Sequence, residues 1–300
     1  MRRRLPSTAA MAAFESAARH QSFTKAADEL LVTQSAVCRQ VAALEDFLGL
    51  KLFRRTRRGV TLTEAGASYS AQVSARLDDI ERDTFDLISK DGQGGSLELG
   101  VVPTFATKWL LPRLAQFRSE FPAITVNLNA RTRPFLFDGT SLDAAIHAGS
   151  ATWPGTEGLF LMQESLIAVC SPGLVAASPA MTAQDLARLP LLQQSTRPAV
   201  WRQWFASLDM RFERDHVGAR FELFSMLIEA AIQGLGVALI PRLLIEDELR
   251  RGLLVQAIDH EHTSDRAYFL INPIRNSENR VLRQFRDWID AQATAYRNPR

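Results

Sequence analysis

Ser22-Phe23-Thr24-Lys25-Ala26-Ala27-Asp28-Glu29-Leu30-Leu31-Val32-Thr33-Gln34-Ser35-Ala36-Val37 is the stretch on which the reading of this chain turns. Ser22 and Thr33 each stand just before a run of apolar residues at three-and-four spacing. A hydroxyl there accepts a backbone N–H left over in a helix's first turn. The pattern predicts a short helix through Leu30, a break at Leu31 and Val32, and a second helix from Gln34 to about Phe47, ended by Gly49. Two helices joined this tightly form a helix-turn-helix, with Ala26, Ala27 and Leu30 packing beneath Val37, Val41 and Leu44. Upstream, Met11, Phe14, Ala17 and Ala18 give one further helix between Leu5 and His20 a single buried face.

The second helix of the pair keeps Gln34, Ser35, Cys38 and Arg39 off its apolar stripe. Its N-terminal end is where a recognition helix meets base edges in the major groove, and glutamine and arginine suit adenine and guanine edges there. Such residues on a merely solvated face would look the same. The next stretch, Lys51-Leu52-Phe53-Arg54-Arg55-Thr56-Arg57-Arg58-Gly59-Val60-Thr61-Leu62, decides between them, because it reads as two short strands and a turn that together carry four arginines. A wing of this kind sits against phosphates. The candidate DNA contacts are Ser22, Thr24, Thr33, Gln34, Ser35, Cys38, Arg39, Arg54, Arg55, Arg57 and Arg58.

Charge supports the division. The chain of 300 residues carries a formal net charge of only +2, yet residues 1–63 hold 11 Lys+Arg against 5 Asp+Glu and the rest 24 against 28. One end suits a polyanion and the remainder does not. Hydrophobic residues at 46% and charged residues at 23% exclude a disordered or collagen-like chain. Two cysteines, Cys38 and Cys170, are too few for a disulfide framework or a cysteine-based zinc site, so a reducing cytoplasm is the expected compartment. The opening Met1-Arg2-Arg3-Arg4 mimics a signal peptide, but Glu15 and Arg19 interrupt the following run, which reads as a helix of the fold. The longest apolar run, Leu235 to Pro241, is far below the ~20 residues of a membrane span, so no membrane association is expected.

These residues resemble a family. The stretch quoted first, with Leu44-Glu45, Leu50-Lys51-Leu52-Phe53-Arg54-Arg55 and Leu62-Thr63-Glu64-Ala65-Gly66, looks like the N-terminal domain of LysR-type transcriptional regulators. Further on, Trp109-Leu110-Leu111-Pro112-Arg113-Leu114, Trp153-Pro154-Gly155 and Val169-Cys170-Ser171-Pro172 resemble the branch typified by the glycine-cleavage activator and the beta-lactamase regulator. Cys38 departs from the pattern, where serine is more usual. The resemblance implies a homodimer or homotetramer on promoter DNA, a pseudo-palindromic operator, a small-molecule effector and contact with RNA polymerase.

Between Thr63 and Lys90 there is no proline, and the spacing of Val73, Leu77, Ile80, Thr84 and Leu87 is that of a coiled-coil seam. A helix of about 26 residues, roughly 39 Å, is predicted. Val73, Leu77, Ile80 and Leu87 are its candidate dimer contacts, with packing on the chain's own domains as the competing use of the stripe. Asp91-Gly92-Gln93-Gly94-Gly95 then reads as a hinge rather than a phosphate loop, since no Gly-Lys-Ser/Thr follows.

Beyond the hinge, strand and helix patterns alternate: strands at Leu97–Val102, Ile124–Leu128, Ala144–Ile146, Ser165–Cys170, Val237–Ile240 and Tyr268–Ile271, with helices between them and a last helix from about Ser277 to Tyr296. Such alternation implies parallel sheets covered by helices, enough for two lobes and a cleft. The fold class expected is therefore α/β: an N-terminal winged helix-turn-helix (1–63), a long linker helix (64–91), a hinge (92–95) and a two-lobed domain (96–300), which the resemblance implies is a periplasmic-binding-protein-like effector domain. Lobe I covers about 96–163 and 270–300, and lobe II about 164–269.

Ligands of open sheets bind beyond the carboxyl ends of strands where helices begin. Thr104, after the first strand, can cap its helix and offer a hydroxyl and a backbone N–H to an anion. Ser225 holds the equivalent place in the second lobe, and Gln194, Ser195 and Thr196 end a strand that could face them. With Phe105 these are the candidate effector contacts, plain helix capping being the other reading of Thr104 and Ser225. Trp109, Trp201 and Trp204 read as core. His260 and His262 beside Glu261 and Asp265 read as solvated loop histidines, so no metal is expected. Gly234-Leu235-Gly236-Val237 reads as a helix stop rather than a dinucleotide fingerprint. With no nucleophile motif or catalytic constellation, no enzyme activity and no cofactor are expected. The expectation is a DNA-binding regulator modulated by an effector in the inter-lobe cleft; an effector-independent repressor and an enzyme with an accessory DNA domain are the alternatives.

Overall fold

The computed structural model describes residues 5–56, 59–88, 94–150, 153–175 and 181–298. They fall into two compact units: the chain up to residue 93 with Leu136–Ser141, and the chain from Gly94 without that segment.

In the N-terminal unit, α1 (Thr8–His20), α2 (Phe23–Glu29) and α3 (Gln34–Leu48) enclose a core of Phe14, Ala17, Ala26, Ala27, Val37, Val41 and Leu44. The alanines let the helix axes approach closely, and Phe14 fills the centre, fully buried. Ser7, Ser22 and Thr33 cap the three helices by accepting the N–H of Ala10, Lys25 and Ala36. Gly49, in the left-handed region at φ 68°, ends α3 as its position predicts. The wing is an antiparallel pair, β1 (Phe53–Thr56) and β2 (Gly59–Leu62), with Phe53 opposite Leu62.

The linker helix α4 (Glu64–Ile88) starts against this wing. Thr63 caps it by accepting the Gly66 N–H at 3.0 Å, and donates its own hydroxyl to the Lys51 carbonyl at 2.8 Å. A Cβ at Gly66 would lie 2.1 Å from the Leu52 carbonyl oxygen, so only glycine allows so close an approach. Val73 departs from the expected dimer seam. It is 3% exposed and belongs to the core of its own unit, where Tyr69 stacks on Phe14 at 5.7 Å, and Leu77 packs at that core's edge. The apolar stripe of α4 therefore begins as an intramolecular contact. Ile80 is 49% exposed; the Leu87 side chain lies outside the described residues.

The second unit runs β3 (Gly95–Val101), α5 (Pro103–Phe105), a π-helical turn (Ala106–Leu110), α6 (Leu111–Glu120), β4 (Ile124–Ala130), β5 (Ala144–Gly149), β6 (Thr156–Cys170), α7 (Pro172–Val175), α8 (Ala183–Leu186), β7 (Leu191–Gln194), α9 (Val200–Ala206), β8 (Arg220–Phe221), α10 (Phe224–Ile232), β9 (Val237–Pro241), α11 (Glu246–Arg250), β10 (Val255–Pro273) and α12 (Arg280–Arg297). Gly95, expected in the hinge, is the first residue of β3 and pairs with Ile124; residues 92 and 93 lie outside the described ones.

The strands follow the order β4-β3-β5-β10-β6-β9-β7-β8. β3 is parallel to β4 and β5, and β7 is parallel to β8 and β9, as the alternation predicts. The sheet is nevertheless mixed. β10 runs antiparallel to β5 and β6, and β6 antiparallel to β9. The cause is the length of β6 and β10, 15 and 19 residues, which pass through both halves of the unit as a returning pair. His260 and His262 accordingly lie on β10 and not in a loop, and His260 Nε2 is 2.8 Å from Ser207 Oγ.

One core joins both lobes. Leu97, Leu99, Phe105 and Trp109 are continuous with Leu192, Ile228, Ala238, Ile240 and Leu244. A second core in the β7–β9 half holds Trp201, Trp204 and Phe205, all fully buried or nearly so. The tryptophans are packing residues, as their place on apolar helix faces predicts.

Candidate functional site

The exposed face of α3 carries Gln34, Ser35 and Arg39, with Cys38 half-buried, while Val37, Val41 and Leu44 face the core. Thr24 is exposed on α2 and Arg54 on β1. Ser22 and Thr33 already use a hydroxyl lone pair in capping, which leaves each an O–H to donate. Arg57 and Arg58 lie outside the described residues, as does the side chain of Arg55.

Ion pairing sorts the cations of this unit into two groups. Arg19 is bound to Glu15 and Glu29, and with His20 it holds the Glu29 carboxyl down to about 2. Lys51 is bound to Glu45 at 2.6 Å. Lys25, Arg39 and Arg54 have no carboxylate partner among the described residues, and all three are exposed. Sequence reading passes over Lys25, which looks like any helix-surface lysine until its neighbours are known.

Glu45 fixes the wing to the recognition helix. One carboxylate oxygen accepts from the backbone N–H of Leu52 at 2.8 Å and of Phe53 at 3.2 Å, and the other takes Lys51. Burial alone pushes this carboxyl up, but the Lys51 ammonium and the two N–H groups outweigh it and hold it below its ordinary range.

In the second unit the two lobes meet at Thr104. This residue is 5% exposed and does not cap its own helix, whose N-cap is Val102. Its Oγ1 instead accepts the backbone N–H of Ser225, at the start of α10 in the other lobe, at 3.0 Å. Capping is the wrong role for both residues, because Pro103 already opens α5 and Leu223 occupies the N-cap of α10. Thr132 and Glu222 make a second inter-lobe bond at 3.3 Å.

Beneath these bonds lies a cavity of about 80 Å³ lined by Thr104, Phe105, Gln194, Thr196, Arg197, Glu222 and Tyr268, among others. The structure thus brings together four of the six predicted effector residues. Ser195 is exposed and faces the wider cleft beside it, and the Ser225 side chain is exposed. Gln194 is occupied at both ends: its Nε2 donates to the Glu222 carbonyl and its Oε1 accepts from Thr196 N–H and Oγ1, so it braces the loop. Phe105 stacks on Tyr268 at 4.7 Å and on Trp109 at 5.1 Å as the cavity's floor.

Among the cavity residues not read from the sequence are Tyr268 and Arg197. Tyr268 is 1% exposed, and its hydroxyl has no hydrogen-bond partner among the described residues. Burial, with Glu164 nearby, raises its pKa strongly and keeps it a donor. Arg197 is paired with the fully buried Glu164, which also accepts from Ser264 Oγ at 2.9 Å, and its guanidinium lies 4.9 Å from the Phe224 ring. In sequence Tyr268 is one aromatic in a buried strand, and Arg197 and Glu164 are 33 residues apart.

No group of His, Cys, Asp and Glu among the described residues is placed to hold a metal ion, and no helix there is long and apolar enough to cross a membrane.

Comparison with known proteins bears on both sites. Residues 8–67 match the family described as bacterial regulatory helix-turn-helix protein, lysR family, and residues 90–294 match the LysR substrate binding domain. The glycine cleavage system transcriptional activator of Escherichia coli K12 is 38% identical over 296 residues, 98% of this chain and 96% of that protein. The effector domain of the transcriptional regulator AmpR of Pseudomonas aeruginosa superposes with a TM-score of 0.61 at 29% identity, covering 67% of this chain and 96% of that one. An effector binding domain from Citrobacter freundii, carrying threonine-to-valine, serine-to-alanine and tyrosine-to-phenylalanine substitutions, gives 0.60 at 25% identity, over 66% of this chain and 98% of its own.

Proposed function

The chain belongs to the LysR family of bacterial helix-turn-helix regulators, and from that premise we propose which residues perform its two tasks and what state of assembly they require. It is a DNA-binding transcriptional regulator with an effector-binding domain. In our reading Gln34, Ser35, Cys38 and Arg39 face base edges, while Ser22, Thr24, Lys25, Thr33 and the wing arginines face phosphates. The subunits pair along α4 from Ile80 onward, as homodimers that assemble into a homotetramer on a pseudo-palindromic promoter site. The regulator acts in the cytoplasm and contacts RNA polymerase.

The observation that carries the effector reading is the bond from Ser225 N–H to Thr104 Oγ1 beside a cavity lined by Tyr268, whose hydroxyl has no hydrogen-bond partner among the described residues. A ligand group that replaces Ser225 as the partner of Thr104 and accepts from Tyr268 changes how the lobes are held. A threonine, a serine and a tyrosine are also the types replaced in the Citrobacter freundii domain; here Thr104, Ser225 and Tyr268 are the residues of those types around the contact. Because these relatives are transcriptional activators, activation is the proposed direction of control.

The test is a reporter driven by the promoter fragments that the protein itself captures from its genome. Thr104→Val combined with Tyr268→Phe is expected to abolish any growth-condition-dependent change in transcription while leaving occupancy of the promoter intact. An unchanged response in the double variant sinks the cavity assignment.

A further inference from the structure

Next to the small cavity the cleft widens into a pocket of about 1250 Å³. The two share Val102, Thr132, Ala148, Thr196 and Arg266, so one molecule can extend from one into the other. The wider pocket is larger than the roughly 300–1,000 Å³ of ordinary ligand sites and far larger than an amino-acid-sized molecule needs.

Its charge is one-sided. Arg131 and Arg133, directly after β4, and Arg266, on β10, all line it, against the single lining carboxylate Asp265. None of the three arginines has a carboxylate within 4.0 Å among the described residues. One unpaired surface arginine is ordinary; three converging on one concave site leave like charges that an anion would neutralise.

The rest of the wall is aromatic. Trp153 meets Phe135 edge-on at 5.4 Å and the His147 ring at 4.7 Å, and Phe160 meets Phe269 at 5.7 Å. The Arg131 guanidinium lies 5.7 Å from the Phe135 ring. His147 is held in this wall by a 2.9 Å bond to the Ser150 carbonyl, and Gly149 makes room for it, since a Cβ there would fall 2.7 Å from the ring. Burial lowers its pKa, so His147 joins the wall as a neutral ring rather than a fourth cation.

We propose that this outer pocket receives an anionic, ring-bearing part of the effector: a small molecule with two or more negative charges, carboxylate or phosphate, joined to a planar ring. Guanidinium groups pair with both kinds of oxyanion through parallel N–H donors, and the ring lies against Phe135 and Trp153. The inference rests on the inner cavity being the effector's anchor, and it adds the chemical class of what is anchored.

Titration calorimetry on the full-length protein tests it with phenyl phosphate and phthalate as ring-bearing dianions. Benzyl alcohol supplies a ring without charge, and inorganic phosphate and succinate supply charge without a ring. Both ring dianions are expected to bind, the other three more weakly by roughly tenfold or more. Arg131→Gln with Arg133→Gln, on the exposed rim, and Trp153→Ala separately, should each weaken the ring dianions roughly tenfold. Tighter binding of phenyl phosphate marks the natural group as a phosphate ester, and tighter binding of phthalate marks it as a dicarboxylate. Failure of both dianions to bind, indifference to the arginine substitutions, or equal binding of benzyl alcohol overturns the proposal. The reporter variants Thr104→Val and Tyr268→Phe alter residues that line only the inner cavity, whereas the titration variants alter residues that line only the outer pocket. A failed reporter experiment and a failed titration are therefore separate outcomes.

Discussion

Glu45 sits under the wing with one carboxylate oxygen shared by two backbone N–H groups and the other on Lys51, so its charge state is tied to the fold. Its pKa is depressed in the folded chain. At mildly acidic pH the unfolded chain then takes up the proton more readily than the folded one, and stability falls as pH is lowered. Glu45→Gln removes that dependence. The variant should be less stable by about 1–2 kcal/mol at pH 7, with the gap to the parent closing as pH drops from the ordinary carboxylate range through the folded value. Urea unfolding at pH 7, 5 and 4 reads this, and a gap that widens on acidification contradicts the assignment. Arg39 and Arg54 differ in a second way. Both are exposed and have no carboxylate partner among the described residues, but Arg39 stands on the recognition helix and Arg54 on the wing. Arg39→Ala should cost about 1–3 kcal/mol of discrimination against altered operators. Arg54→Ala should weaken all DNA alike and reduce the log–log salt slope by about 0.9 for each phosphate that the arginine neutralises. Filter-binding with operator and random duplex over a salt series separates them; equal weakening on both duplexes for Arg39→Ala would remove it from base reading. At this scale the caps at Ser22 and Thr33 and the exposure of Gln34, Ser35 and Arg39 were legible, since capping hydroxyls and off-stripe residues are local features. Tyr268 and the Thr104–Ser225 bond were not, because the latter joins residues 121 positions apart.

At the scale of elements, α4 shows where periodicity stops deciding. Val73, Leu77 and Ile80 follow one spacing, and that spacing is the same whether the stripe meets a second subunit or the chain's own core. The structure assigns Val73 to the core beside Phe14 and Tyr69 and leaves Ile80 half exposed. The dimer contact that we propose therefore begins about a turn or two later than the heptad pattern suggested. Ile80→Asp would bury an unpaired carboxylate in that contact at a cost of roughly 3 kcal/mol, more than a hundredfold in dimer dissociation. Sedimentation equilibrium should then show the particle mass fall to that of one subunit, half that of the parent dimer, while the helix-turn-helix unit keeps its unfolding midpoint; an unchanged mass would move the contact elsewhere. β6 and β10 illustrate a different limit. Their apolar ends, Ser165–Cys170 and Tyr268–Ile271, were recognisable as strands. The polar middle of β10, from Asp259 to Asp265, looked like a loop, because register shifts at Gln256/Glu261 and Thr263/Ala267 break the alternation that marks a strand.

On the scale of the whole effector unit, those two long strands decide how far the lobes can move. Each lobe was legible as an α/β pattern, but their connection was not, and it is the connection that limits opening. β6 and β10 run unbroken through both halves, and one apolar core continues from Phe105 and Trp109 to Leu243, Leu244 and Ile245. Swinging the lobes apart would expose that core, at roughly 25 cal/mol for each Å² uncovered. The cleft can therefore yield mainly at its rim, where Thr104–Ser225 and Thr132–Glu222 close it. Thr104→Val leaves the Ser225 N–H without its acceptor, and Thr132→Val removes the second bond. Together they should cost about 2 kcal/mol, lowering the midpoint of this unit by about 4–8 °C. The loosening should also be local. Amide hydrogen exchange is expected to quicken at Ser225, Met226 and Leu227, while the β6–β10 ladder from Tyr268 to Ile271 keeps its protection. Loss of protection along that ladder would mean that the rim bonds hold the whole unit together and that the lobes separate as rigid bodies. Protection unchanged at Ser225 would mean that the rim bonds do not hold the cleft shut, and an effector could then act only by contacts it makes itself.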